Sequence, residues 1–260
     1  MDFFDPDKDA VVNPREMVRL LTASLGVREE DLSLPSLAVV AFSRRLLDGL
    51  VHVTDGMRCE PWHGRNPSLF LATVGNRQVA LTKSPYGAPG AVILLEELIA
   101  FGVKQTVFLG YCGSIHEKVG IGDIVLPTYA VREDGTSHHY LPQGARCQPD
   151  TVLFDRLKEG LRESGVSATA GPVWTTDALY RETDKKVRRY RGQGVLAVDM
   201  EISALFAVAE VRRVSVAALL LVSDCFSHKG WTPGFSDPPL REMEGVLTGL
   251  MRKWIEAKVL

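Results

Sequence analysis

The sequence predicts an α/β fold with a mostly parallel core sheet, on three observations. Strand-like and helical segments alternate from residue 69 to the C-terminus. The longest apolar stretch, Val214 to Val222, is the size of a strand, well short of the ~18 residues of a membrane-spanning helix. No repeat, low-complexity tract or linker interrupts the 260 residues, a length that one α/β domain commonly fills. Hydrophobic residues make up 45% and charged residues 24%, enough apolar surface for a packed core, which excludes a long disordered chain. Thirty Lys and Arg against thirty-two Asp and Glu leave a net charge of −2, without the basic excess of a dedicated nucleic-acid binder. The start Met1-Asp2-Phe3-Phe4-Asp5 is acidic where a signal peptide is positive. Cys59, Cys112, Cys147 and Cys225 are widely spaced without a CxxC pair. That argues against a disulfide framework or structural zinc and for a reducing, cytoplasmic setting.

Residues 1–12 read as a loose arm. Asn13 is a helix cap, Pro14 suits the first turn and Glu16 lies three residues after the cap. Met17, Leu20 and Leu21 supply an apolar stripe, and Gly26 a stop. Residues 1–34 are therefore assigned to an N-terminal arm and helix, and 35–260 to the main domain. Leu37 to Phe42 reads as a buried strand, Arg44 to Leu50 as a short helix, and 54–67 as a loop or strand edge. Leu69 to Val74 and Gln78 to Lys83 form a hairpin turning at Gly75-Asn76. Ala91 to Phe101 repeats its apolar residues at helical spacing. Strands follow at 105–109, 124–131, 168–175, 195–198 and 214–222, and helices at 152–164, 183–191 and 201–212. Cys225 to Pro239 reads as a loop rich in Gly and Pro. Leu240 to Ala257 closes the chain as a helix with Met243, Leu247, Leu250, Met251 and Trp254 on one side.

Polar and glycine residues cluster just after strands, where open α/β sheets bind ligands. Ser84 to Gly90 offers small residues that let a backbone approach a ligand, and equally suits a plain strand-to-helix turn. Gly110-Tyr111-Cys112-Gly113-Ser114 directly follows the strand 105–109 and equally suits a tight turn. Asp199-Met200-Glu201 lies before a helix, where carboxylates either hold a ligand or complement the helix dipole. Ser223-Asp224 ends the most hydrophobic strand, where an Asp also starts turns. His138-His139, adjacent on a strand, point to opposite faces and read as core or loop residues rather than metal ligands. Cys112 suits a small buried hydrophobe. Arg188, Arg189 and Arg191 suit a solvated helix face.

The order of these pieces resembles the nucleoside phosphorylase superfamily, which holds purine nucleoside phosphorylases, uridine phosphorylases and methylthioadenosine nucleosidases. The matching pieces are Tyr86 to Gly90 with Glu96-Glu97-Leu98; Gly110 to Ser114 with Gly122-Asp123-Ile124-Val125; Glu133 to Tyr140; Thr176 to Glu182; Val198 to Glu201 with Ala204-Leu205-Phe206; and Val222-Ser223-Asp224. They span roughly residues 36–256. The resemblance implies a single α/β domain with a mixed central sheet flanked by helices. It also implies cleavage of the N-glycosidic bond of a nucleoside in a homo-oligomer (dimer, trimer or hexamer), where a neighbour completes each site. Arg58 and His63 are positioned as donors across such an interface.

On this resemblance Met200 and Glu201 hold the ribose. An ionised carboxylate accepts from both ribose hydroxyls, and methionine offers a soft apolar surface. Asp224 hydrogen-bonds and protonates the leaving purine at N7. Ser223, Leu179, Tyr180, Cys112 and Gly113 surround the base, and Trp231 and Phe235 either close over it or pack on the last helix. The anion candidates are Gly87, Arg44, Arg45 and Tyr111. The anion site departs from the family pattern: Phe42 replaces a loop glycine, Phe108 an arginine, and Tyr111 a serine or threonine. The glutamate that activates water in the nucleosidases is also missing; Ser43, Arg44, Arg45 and Leu46 stand there. Thr183 and Lys185 replace the glutamine and arginine of the uridine phosphorylases, which favours a purine over a pyrimidine. The expected activity is phosphorolysis of a purine-type nucleoside with an atypical phosphate site. The alternatives are hydrolysis of the same bond, or a non-catalytic nucleoside-binding protein. No cofactor or metal is implied beyond phosphate as co-substrate, and no nucleic-acid or membrane partner.

Overall fold

In the computed structural model, which describes residues 3–6, 10–23, 26–59, 62, 69–227 and 230–260, the apolar runs become the middle of a mixed sheet. Its strands are β1 (Leu37–Ala41), β2 (Met57–Arg58), β3 (Leu69–Val74), β4 (Arg77–Lys83), β5 (Gln105–Ser114), β6 (Ile124–Glu133), β7 (Ala168–Thr176), β8 (Ala197–Asp199), β9 (Ser215–Ser227) and β10 (Gly230–Pro233). Its helices are α1 (Pro14–Ala23), α2 (Arg44–Thr54), α3 (Ala88–Ala100), α4 (Ser137–Tyr140), α5 (Thr151–Glu163), α6 (Asp184–Gly192), α7 (Ile202–Arg212) and α8 (Pro238–Glu256).

The sheet order is β10-β9-β6-β7-β8-β5-β1-β4-β3-β2, and β9 also pairs with β5. That extra pairing closes β5, β9, β6, β7 and β8 into a ring, while β1, β4, β3 and β2 extend from it as an open wing. β1 lies parallel between β4 and β5, and β5 lies parallel to β9. Side chains alternate across the sheet, as strand geometry requires. Ala38 and Val40 of β1 join a core with α3 and α7, whereas Leu37, Val39 and Ala41 join a core with α2, α5 and α8. A smaller cluster of Ile115, Trp174, Val187, Tyr190, Val195 and Val198 packs α6 on the ring.

Several elements differ from the sequence reading. β5 runs through Gly110 to Ser114, so that cluster lies inside a strand; backbone pairing to β9 and β8 carries it on. Its register shifts between Cys112 and Gly113, where β5 passes from pairing with β1 to pairing with β8. β9 likewise continues past Val222 to Ser227 and pairs antiparallel with β10. Ser223-Asp224 is therefore within a strand, and part of the expected loop over 225–239 is a hairpin. In α1 the buried side chain is Val18, while Met17 and Leu20 are exposed. The Leu21 side chain lies outside the described residues. His138 and His139 sit on the short helix α4 rather than on a strand. Among the described residues no group of three or more His, Cys, Asp or Glu is arranged to hold a metal ion, and no helix is long and apolar enough to cross a membrane.

Candidate active site

β8 delivers Asp199-Met200-Glu201 to the start of α7, and the two carboxylates divide the work. Asp199 Oδ1 accepts from the backbone N–H of Glu201 and of Ile202, each at 2.8 Å, and from the Thr175 hydroxyl at 2.9 Å. Asp199 thus satisfies the helix start. Glu201 makes no cap of its own. Its Oε1 accepts from the N–H of Gly87 at 2.7 Å. Gly87 is the residue before α3, with φ +85°, a conformation glycine adopts without strain. The N-termini of α3 and α7 therefore meet at one carboxylate. Burial still pushes Glu201 up to about 8, and the Asp199 charge adds to the rise. Burial pushes Asp199 up to about 7 against the pull of its hydrogen bonds. Its Oδ2 is buried without a partner.

Asp224 lies on β9 beside its pairing partner Gly113 on β5. Its Oδ1 accepts from the Ser223 hydroxyl at 2.7 Å and its Oδ2 from the Trp231 indole N–H at 2.8 Å. Gly113 stands opposite, where a Cβ would lie 2.9 Å from Asp224 Oδ2. The bare backbone there makes room for the carboxylate. Burial pushes Glu182 up to about 7, and the charges of Asp224 and Asp199 raise it further. Glu182 is a fourth acidic group at this end of the ring, with Asp199, Glu201 and Asp224.

A cavity of about 280 Å³ opens where α2 begins and α8 passes, with Ser43, Arg45, Tyr111, Ser223, Phe235 and Arg241 in its wall. The Tyr111 phenol donates to Glu244 and lies 3.0 Å from the Ser43 hydroxyl. Arg241 Nη1 donates to both Glu244 oxygens at 2.9 and 3.1 Å, and Arg45 Nε lies 3.7 Å from Oε2. Glu244 is 4% exposed. Burial, then the hydrogen bond to Glu244, push the Tyr111 phenol up to about 12, so it stays a donor at neutral pH.

Of the anion candidates, Arg45 and Tyr111 come together here. Arg44 pairs instead with Asp48 on the surface at 2.8 Å, and the Gly87 N–H is committed to Glu201. Phe42 and Phe108 stack with ring centroids 5.7 Å apart in the core. Of the base candidates, Ser223 and Gly113 adjoin Asp224. The Cys112 side chain points into the core, its Sγ 3.7 Å from the Leu221 carbonyl, and burial raises its thiol. Leu179 and Tyr180 lie on a 3-10 turn, 49% and 96% exposed. Met200 is partly exposed beside Glu201. Trp231 and Phe235 face each other with centroids 6.0 Å apart. Arg58 lies on the exposed edge strand β2, and His63 is outside the described residues. Sequence reasoning missed Glu244 and Arg241. Their i,i+3 spacing on α8 looks like a surface ion pair, and only burial marks it as something else.

The family model described as Phosphorylase superfamily matches residues 37–238. A guanosine phosphorylase of Halorubrum lacusprofundi is 28% identical over 158 residues, 61% of this chain and 66% of its own length. A DeoD-type purine nucleoside phosphorylase of Bacillus cereus is 33% identical over 159 residues, 60% of this chain and 67% of its own. The chain thus spans about two thirds of the length of these relatives. Among solved structures, purine nucleoside phosphorylase from Toxoplasma gondii in complex with immucillin-H superposes with a TM-score of 0.78 at 19% identity, covering 88% of this chain and 93% of that one. Uridine phosphorylase from Vibrio fischeri superposes with a TM-score of 0.75 at 20% identity, covering 85% and 93%. At those identities the likeness is one of fold. With the family model matched along most of its length, the chain belongs to the Phosphorylase superfamily.

Proposed function

We propose that the chain cleaves the N-glycosidic bond of a purine nucleoside by phosphorolysis, with an altered anion site. The observation that carries this reading is the buried Glu201 carboxylate at the meeting of two helix N-termini, with Asp224 nearby on β9. In the free protein burial keeps Glu201 largely protonated at neutral pH; the ribose hydroxyls donate to it and favour its ionised form, and Met200 lies against the sugar. Asp224, steadied by Ser223, takes the N7 edge of the base in place of the Trp231 indole. As the C1′–N9 bond breaks, its electron pair passes to the purine, and a proton carried by the Asp224 carboxyl and donated to N7 offsets the charge, leaving Asp224 as the carboxylate. General acid help of this kind is typically worth ~10²–10⁴-fold. Phosphate oxygen forms the new bond to C1′. The relatives named for guanosine and purine nucleosides support a purine.

One observation favours the second reading, hydrolysis: the cations of the neighbouring cavity are already held by Glu244. The chain is also proposed to act as a homo-oligomer, since β2 leaves Met57 and Arg58 exposed at the sheet edge; light scattering checks this. The activity test follows release of base from inosine, guanosine, adenosine and uridine, with and without phosphate. Ribose 1-phosphate from the purine nucleosides is expected. Free ribose without phosphate would establish hydrolysis, and tight binding without turnover a binding protein.

A further inference from the structure

Glu244 has an unusual position for a carboxylate on the last helix. It is buried, and it touches three donors that line a cavity. Leu240, Leu247, Leu250, Met251 and Trp254 already bury that helix against the sheet. Both Glu244 oxygens are taken by Arg241, one of them also by Tyr111, and Arg45 stands at 3.7 Å from the other. Ser43 caps α2, its hydroxyl accepting from the Leu46 N–H at 3.1 Å, so the cavity also receives a helix N-terminus. Two guanidiniums, a phenol, a hydroxyl and a helix start form a set of donors suited to an oxyanion. In this chain the oxyanion they hold is the side chain of Glu244. Ser223 connects the cavity to the glycosidic centre, because it lines the one and donates to Asp224 in the other.

We propose that Glu244 is a tethered anion that competes with phosphate for this cavity and so sets the enzyme's phosphate requirement. The proposal rests on the nucleoside-cleavage reading for its functional meaning, but phosphate binding can be measured without nucleoside. A free phosphate must displace a carboxylate already held at high local concentration, or lie beside it against like-charge repulsion. The wild-type protein therefore binds phosphate only in the millimolar range. Removing the carboxylate leaves Arg241, Arg45 and Tyr111 facing an empty space with net positive charge, and phosphate fills it.

The test is calorimetric titration of inorganic phosphate into the full chain, for wild type, Glu244→Ala and Glu244→Gln, with circular dichroism and melting as folding checks. The alanine variant is expected to bind phosphate at least ~10-fold more tightly than wild type, and the glutamine variant to fall between them, because it removes the charge but not the bulk. The phosphate KM for base release should fall in the same order. Micromolar phosphate binding by the wild type would overturn the proposal, and so would a folded alanine variant whose phosphate affinity is unchanged or weaker. If Glu244→Ala fails to fold, the wild-type titration and Glu244→Gln decide. Tighter phosphate binding in the variants together with no nucleoside cleavage would sink the functional reading while leaving the anion competition standing.

Discussion

Glu201 stands at the start of α7 with its carboxylate accepting from the N–H of Gly87 at the start of α3, while Asp199 takes the Glu201 backbone N–H. If it holds the ribose diol, Glu201→Ala removes two charge-assisted hydrogen bonds of ~1.5–3 kcal/mol each. Nucleoside turnover should then fall at least ~100-fold with the fold intact. Steady-state kinetics and a melting curve check this, and unchanged affinity would remove Glu201 from the site. At Asp224 the isosteric Asn keeps the shape but cannot pass a proton. For a purine nucleoside Asp224→Asn should lower kcat by ~10²-fold or more, with much less effect on binding. Equal turnover by the two proteins, or a preference for uridine, would count against a purine leaving group.

The elements matter because two of them are built to end at the site. β8 is three residues long and wholly buried, and its last residue, Asp199, accepts the first free N–H groups of α7. Replacing Asp199 by Ala strands those donors and the Thr175 hydroxyl, whose own oxygen accepts from Ser203 N–H at 3.0 Å. The expected loss is ~1–3 kcal/mol in urea denaturation, with activity falling further than stability alone explains because Glu201 is then no longer oriented. The register shift in β5 at Cys112/Gly113 is the second device. It turns the strand from the open wing into the ring and sets Gly113 against Asp224. A strand signal was legible for 105–109, but glycines at 110 and 113 read as a turn. Those residues stay extended because β9 offers partners on one side through Ser114 and β8 on the other at Gly113 and Ser114. The same override lengthened β9: local sequence marks Ser223-Asp224 as a turn start, and pairing with β10 holds it in the sheet.

At the scale of the whole molecule, burial sets a pH dependence. Asp199 rises from 3.8 to about 7, Glu182 from 4.5 to about 7 and Glu201 from 4.5 to about 8. Between the ordinary and the raised values the folded state holds more protons than the unfolded one, so stability of the free protein falls as pH rises from about 4 to about 8 and then levels. The urea midpoint should be lower at pH 8 than at pH 5.5. Glu201→Gln should retain more of its stability at the higher pH, and an equal loss in both proteins would remove Glu201 as the source. The sequence by itself determined the α/β class, the hairpin at Gly75-Asn76, most helix positions and the family. These follow from apolar period, turn chemistry and the order of motifs, all of which are local or written along the chain. Only the tertiary structure decided that β5 and β9 run on into a closed ring, that Asp199 caps α7 while Glu201 turns to the start of α3, and that Glu244 is buried against the Arg45, Tyr111 and Arg241 donors of the cavity wall. Each of these depends on which distant backbone or charge lies opposite a residue, and a charge pair at helical spacing reads the same whether it faces water or a cavity.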